Sequence, residues 1–227
     1  MLLFKKKRIT SEERRNKSNK KIKNMGIACH ENLPLIEDSS EVSLKDLDVI
    51  CRRAIACLLS TQLACDIAES NDYNESKEMF FKLLKEFQVE DCLLEKEKKL
   101  FEGNYEKQDV IDVAWTYEAY WSLVWALGLV KNIDYPNNVC DCQKAIRLVG
   151  DCKNFEEFKK KCKLRDIEEI LDVLDLHYRY HWATTEKRIN PTTPIGELNP
   201  DVVVERRRGL EWLISPIEDW NDIALHT

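Results

Sequence analysis

The sequence predicts an all-α fold, a single multi-helix domain around one central buried helix, and three observations carry that expectation. Between Asp109 and Val130 the chain is apolar on nearly every side of a helix, and Trp115, Trp121 and Trp125 lie within that run. A helix without a polar face belongs in an interior. The segments on either side repeat apolar residues at three-and-four spacing, the period of a helix with one buried stripe. With 44% apolar and 33% charged residues, and only six glycines and six prolines in 227 positions, the composition is that of a globular helical chain.

Taken in order, residues 10 to 24 read as a polar helix capped by Thr10 or Ser11, with Glu12 and Glu13 in its first turn. Gly26 and Pro34 make 25 to 37 an extended connector. Ser43 with Asp46 resembles a capping box that opens a long helix, whose stripe is Leu44, Leu47, Cys51, Ala54, Leu58 and Cys65. Asn71 to Asn74 breaks it, and 75 to 87 and 89 to 101 form two amphipathic pieces before Gly103. After the central helix a short one spans 141 to 149, and another, capped by Asn154, spans 155 to 163. Residues 166 to 188 form a long helix. Pro191, Pro194, Gly196 and Pro200 then mark a loop at 189 to 200 that holds at most one short β element. The last helix runs from 201 to 214, where Pro216 closes it. Residues 1 to 24 are read as a basic N-terminal arm and 25 to 227 as the single helical domain.

Charge and cysteine content narrow the classes. The net charge of −6 divides unevenly: residues 1 to 25 carry ten Lys and Arg against two Glu, a net of +8 that leaves −14 on the rest. Such an arm either touches nucleic acid or docks on the acidic body of its own protein. Its one aromatic, Phe4, offers little for bases to stack on, which weighs against nucleic acid. Leu2 to Phe4 are too few for a signal-peptide core, so a cytoplasmic location is expected, with the nine cysteines reduced. The 110 to 130 stretch has the length of a membrane span, but Asp112 and Glu118 within it argue for a protein interior, and no membrane contact is expected.

Chemistry is sought where polar groups fall on apolar faces. Glu118 is a carboxylate inside the greasy helix, and must either protonate or find a cation. Arg206 and Arg207, which straddle the apolar line Val203, Leu210 and Ile214, are the expected partners because a guanidinium fork meets a carboxylate through two bonds. On the 166 to 188 helix, Tyr178 and His181 share the inward arc while His177 lies near its edge. Asp175 and Arg179 have ion-pair spacing, with Trp182 alongside. Trp115, Glu118, Trp125, Asp175, Tyr178, Arg179, His181, Trp182, Arg206 and Arg207 are therefore the candidate ligand-binding cluster. It would form a charged floor walled by Trp115, Trp125, Trp182 and Trp212, and suit a small polar ligand or a peptide end. The bland alternative is a buried ion pair that fixes helix docking.

Metal and cofactor signatures are thin. The HYRYH stretch sets His177 and His181 four apart, but no Glu follows the first as in a zincin. Cys140-Asp141-Cys142 lacks the two-residue gap of a zinc knuckle. No glycine-rich phosphate loop, nucleophile elbow or dinucleotide fingerprint occurs. No metal or cofactor is assigned.

The chain resembles a bacterial family catalogued as domain of unknown function 4272. The resemblance rests on Gly26-Ile27 with Leu33-Pro34, Glu118-Ala119, Trp121 to Gly128 (WSLVWALG) and Leu164-Arg165 with Ile170-Leu171-Asp172. It continues through Asp175-Leu176, Tyr178-Arg179, His181-Trp182-Ala183, Val203 to Leu213 (VVERRRGLEWL), Trp220-Asn221-Asp222 and Thr227. It implies a helical bacterial protein and brings no established activity. The function expected from the residues is a non-catalytic domain that binds a protein or small-molecule partner through the cluster. The rivals are a hydrolase-type enzyme with Glu118 or His181 as general base, with or without a metal, and nucleic-acid contact through the basic arm.

Overall fold

Nine α-helices and two short 3-10 turns, with no strand, make up residues 9–227, the part of the chain that this computed structural model describes. They build one all-α domain. Phe4 and the basic run Lys5 to Arg8 lie outside the described residues.

Helix starts follow side-chain chemistry. In α1 (Ser11–Asn24) the Thr10 hydroxyl accepts from the Glu13 N–H while the Glu13 carboxylate accepts from the Thr10 N–H, a reciprocal capping box. Asp72, Asp141, Asn154 and Asp166 cap α3 (Tyr73–Glu86), α6 (Cys142–Gly150), α7 (Phe155–Lys161) and α8 (Ile167–Ile189) in the same way, by accepting from first-turn N–H groups. Asn199 caps α9 (Pro200–Trp212), whose first residue is a proline that needs no N–H partner. The box expected at Ser43 does not form. There α2 (Leu47–Ala68) starts behind Asp46 without a side-chain cap bond, because the Lys45 N–H is drawn to the Leu213 carbonyl and holds residues 43 to 45 out of the helix.

The piece expected at 89 to 101 divides into a 3-10 turn, Glu90–Cys92, and α4 (Glu95–Glu102), and the second 3-10 turn is Trp220–Asp222. The loop 190 to 199 contains turns and no β element.

The central helix, α5 (Lys107–Ala126), begins and ends a few residues earlier than its apolar run suggests. Its end is set at Gly128, whose φ of +73° suits glycine and whose added Cβ would lie 2.7 Å from the Lys163 carbonyl. Lys163 and Arg165 donate their N–H groups to Leu127 and Ala126, so the strap before α8 satisfies the last α5 carbonyls.

Packing runs side by side in the order α3, α2, α5, α9, α8, α1. The central position of α5 explains its uniform hydrophobicity: α2 covers one flank and α9 the other. No described helix is long and apolar enough to cross a membrane. At the far end α1 is no free rod. Ile22 and Arg14 are fully buried, and Arg14 reaches Glu168 at 2.6 Å and Asp172 at 3.2 Å on α8, with Lys17 also on Asp172.

Candidate functional site

The carboxylate inside α5 finds its cation. Arg206 of α9 donates Nε to Glu118 Oε2 at 2.8 Å, and the Cys140 backbone N–H donates to Oε1 at 2.6 Å. The guanidinium spends its other donors on the carbonyls of Ile133, Asp134 and Asn138. Glu118 and Arg206 are both 1% exposed, so the pair is dry and its hydrogen bonds stitch α5, α9 and the 133–140 loop into one unit. Glu118 also borders an apolar hollow beside Trp115.

Arg207 turns elsewhere. Its Nε and Nη2 meet Glu211 Oε1 at 3.2 and 3.1 Å, its Nη1 meets His181 Nδ1 at 2.9 Å and the His226 carbonyl at 3.0 Å, and its plane lies 4.5 Å over the Tyr178 ring. A guanidinium only donates, so Nδ1 of His181 is the acceptor and the ring proton sits on Nε2. Burial, followed by the Arg207 charge, pushes the His181 pKa down to about 4. Arg207 thus occupies the acceptor nitrogen of His181, and each Glu118 oxygen already accepts one hydrogen bond in a dry interior.

On the same helix Asp175 and Arg179 form the expected pair, a buried fork with contacts of 2.6 and 3.1 Å. Arg179 lies 5.6 Å from the Tyr178 ring rather than beside Trp182, whose ring instead meets His30 edge-on at 5.6 Å. His181 is buried as expected, at 8% exposed, but His177 is not at an edge: it is 1% exposed, because the α8 face that meets α1 and the 133–136 loop carries it inward as well. The four tryptophans do not wall one floor. Trp125 stacks under Arg165 at 4.8 Å, Trp212 takes Lys45 at 4.8 Å and meets Trp220 edge-on, and Trp115 lines a cavity with Lys96 and Arg208.

Trp115 nonetheless borders open space on two sides. On one side a cavity of about 190 Å³ is lined by Lys96, Asp112, Trp115, Thr116, Asp201, Val204, Glu205, Arg208 and Asn221, from α4, α5, α9 and the Trp220–Asp222 turn. On the other a hollow of about 210 Å³ is lined by Ala114, Trp115, Tyr117, Glu118, Val139 and Cys142, and is almost wholly apolar. In the charged cavity Arg208 holds both Glu205 oxygens at 3.2 Å, and Asp112 takes hydrogen bonds from Lys96 and Gln108.

These two carboxylates sit in opposed environments. Burial raises the Glu205 pKa against the pull of Arg208. Burial also acts upward on Asp112, but the Lys96 and Gln108 hydrogen bonds outweigh it and leave that carboxyl below its ordinary range. Of the ten residues expected in the cluster, then, only Trp115 and Glu118 border this double space. Asp112, Glu205, Arg208, Lys96 and Asn221 escaped the sequence reading. The available signal was the three-residue spacing that puts Asp112 with Trp115, and Glu205 with Arg208, on common helix faces.

Among the described residues no three His, Cys, Asp or Glu side chains are grouped as a metal ion would require. Neither the curated proteins nor the solved structures yield a significant match. The family described as Domain of unknown function (DUF4272) matches residues 14–223, nearly the whole of the helical domain built around α5, and the chain belongs to that family.

Proposed function

We propose that the protein is a non-catalytic binding domain for a small zwitterionic ligand, of the amino-acid or peptide-end class, seated across Trp115. The observation that carries this reading is the double use of that indole, which is the shared wall of a charged cavity and an apolar hollow. Lys96 and Arg208 offer donors for a carboxylate, and Asp112 and Glu205 offer acceptors for an ammonium. An apolar side chain leaving that head group would cross the Trp115 edge toward Tyr117 and Val139, and gain roughly 25 cal/mol for each Å² it removes from water.

Isothermal titration with leucine and with dileucine tests the reading. Binding should be saturable, and weaken at least tenfold in both Trp115→Ala and Arg208→Gln. An absence of heat from the folded protein, or binding by either variant as tight as that of the wild type, would end it. A hydrolytic reading draws on one specific observation in the same cavity, the opposed environments of Glu205 and Asp112, which are those of an acid and a charged partner. Release of leucine from dileucine, lost in Glu205→Gln, would replace binding by turnover.

A further inference from the structure

A second cavity, of about 340 Å³, opens between α1, α8 and the 133–136 loop, on the opposite side of α9 from Trp115. Its walls are apolar and aromatic: Met25, Ile133, Pro136 and Leu176, with Tyr135 and Tyr180 set edge to face at 6.0 Å. Lys21 and Asp134, both exposed, stand at the rim. One wall group is anomalous. His177 is 1% exposed, its Nδ1 lies 2.9 Å from the Val173 carbonyl, and its Nε2 is buried without any hydrogen-bond partner.

The tautomer follows from that contact. A carbonyl oxygen can only accept, so Nδ1 carries the proton and Nε2 presents a bare lone pair. Burial holds the ring neutral, with its pKa pushed down to about 3, so the lone pair persists across the physiological range. A buried acceptor left unpaired costs on the order of 1–3 kcal/mol. A water molecule is a poor remedy, since it needs two to four polar partners and the surrounding walls are mostly carbon. The Tyr180 hydroxyl, also in the wall, is turned to the Met25 sulfur at 3.6 Å, a soft acceptor from which it is easily drawn away.

We propose that this cavity binds a small, planar, largely apolar molecule carrying one hydroxyl or ring N–H donor, of the phenol or indole class, and that the donor bonds to Nε2 of His177. An apolar cavity of ~150 Å³ suffices for a benzene ring, so this one has room for a bicyclic ligand. The Tyr135 and Tyr180 rings provide edge and face contacts at the geometry that aromatic pairs prefer. Selectivity then comes from the lone pair. A ring of the same shape without a donor fills the space yet leaves Nε2 as costly as before, and is rejected. The site shares no residue with the Trp115 cavities, so its fate is separate from theirs.

The test uses the full chain labelled with 15N-histidine, and titrates it with indole and phenol against their donor-free counterparts indene and toluene. The donors should bind at least tenfold more tightly, and should move the resonance of the unprotonated His177 nitrogen. Leu176→Trp, which fills the cavity without touching His177, should abolish binding. His177→Phe should erase the preference for donors. Equal affinities for donor and donor-free rings, an unmoved His177 resonance, binding that survives Leu176→Trp, or no binding to the wild-type chain would each overturn the proposal.

Discussion

Glu118 is the residue on which the centre of the molecule turns. Because its two oxygens hold Arg206 and the Cys140 N–H, Glu118→Ala strands a buried guanidinium and a buried donor together. It should cost ~3 kcal/mol or more in urea unfolding, and Glu118→Gln, which keeps an acceptor in place, should cost less. The two buried histidines give a second expectation. Their folded pKa values, about 3 for His177 and about 4 for His181, lie below the unfolded value of ~6.5. Below pH ~6.5 the unfolded chain therefore takes up protons that the folded one refuses, and each histidine removes stability at up to about 1.4 kcal/mol per pH unit. The stabilisation is fully present above pH ~6.5 and is lost as pH falls toward the folded values. Unfolding measured from pH 7 to 5 should show His177→Gln flattening this fall relative to the wild type, whatever its effect at pH 7.

At the scale of elements, α5 and α9 cross in close backbone contact. A Cβ on Gly209 would stand 2.6 Å from the Ala119 carbonyl and 3.0 Å from Ser122 Cβ, while the Ser122 hydroxyl donates to the Arg206 carbonyl. Gly209→Ala should therefore destabilise by roughly 1–3 kcal/mol, although alanine is the better helix former by ~1 kcal/mol. Thermal unfolding decides the sign, and a stabilised variant would mean that the helices can move apart freely. Most helices were legible in the sequence because spacing and caps are local: Asn154, Thr10 and the 166 to 188 stripe all act within a few residues of themselves. The misplaced start of α2 was not, because the bond that holds Lys45 outside the helix comes from Leu213, far along the chain. Nor was the partner of Trp125. Arg165 lies 4.8 Å from that ring, bonds the Trp125 carbonyl at 2.7 Å, and places a cation at the negative end of α5.

For the whole molecule the segregation of charge acts in docking. The basic residues of α1 meet acids of α8, with Arg14 fully buried against Glu168 and Asp172, and Ser39 of the connector also bonds Glu168. Removal of residues 1 to 24 would expose that acidic face and the apolar seat of Ile22. It should lower the melting temperature by on the order of 10 °C, since losing a buried pair and a buried isoleucine is worth several kcal/mol in a chain of this size. A melting temperature unchanged within a degree or two would show that α1 adds nothing to the body.

The sequence by itself determined the all-α class, the buried course of α5, the pairing of Glu118 with an arginine of α9 and the Asp175–Arg179 fork. Those depend on period, on four-residue spacing, and on the cost of an uncompensated charge in an interior. Only the tertiary structure decided that Arg206 rather than Arg207 takes the carboxylate, that His177 is buried more deeply than His181, and that the tryptophans disperse instead of forming one wall. Neighbours on a helix differ by about 100° in direction, so which of two adjacent side chains meets a given partner depends on how the helices rotate against each other. That rotation is fixed by contacts between residues far apart in the chain, such as Gly209 on Ala119, and no local pattern records it.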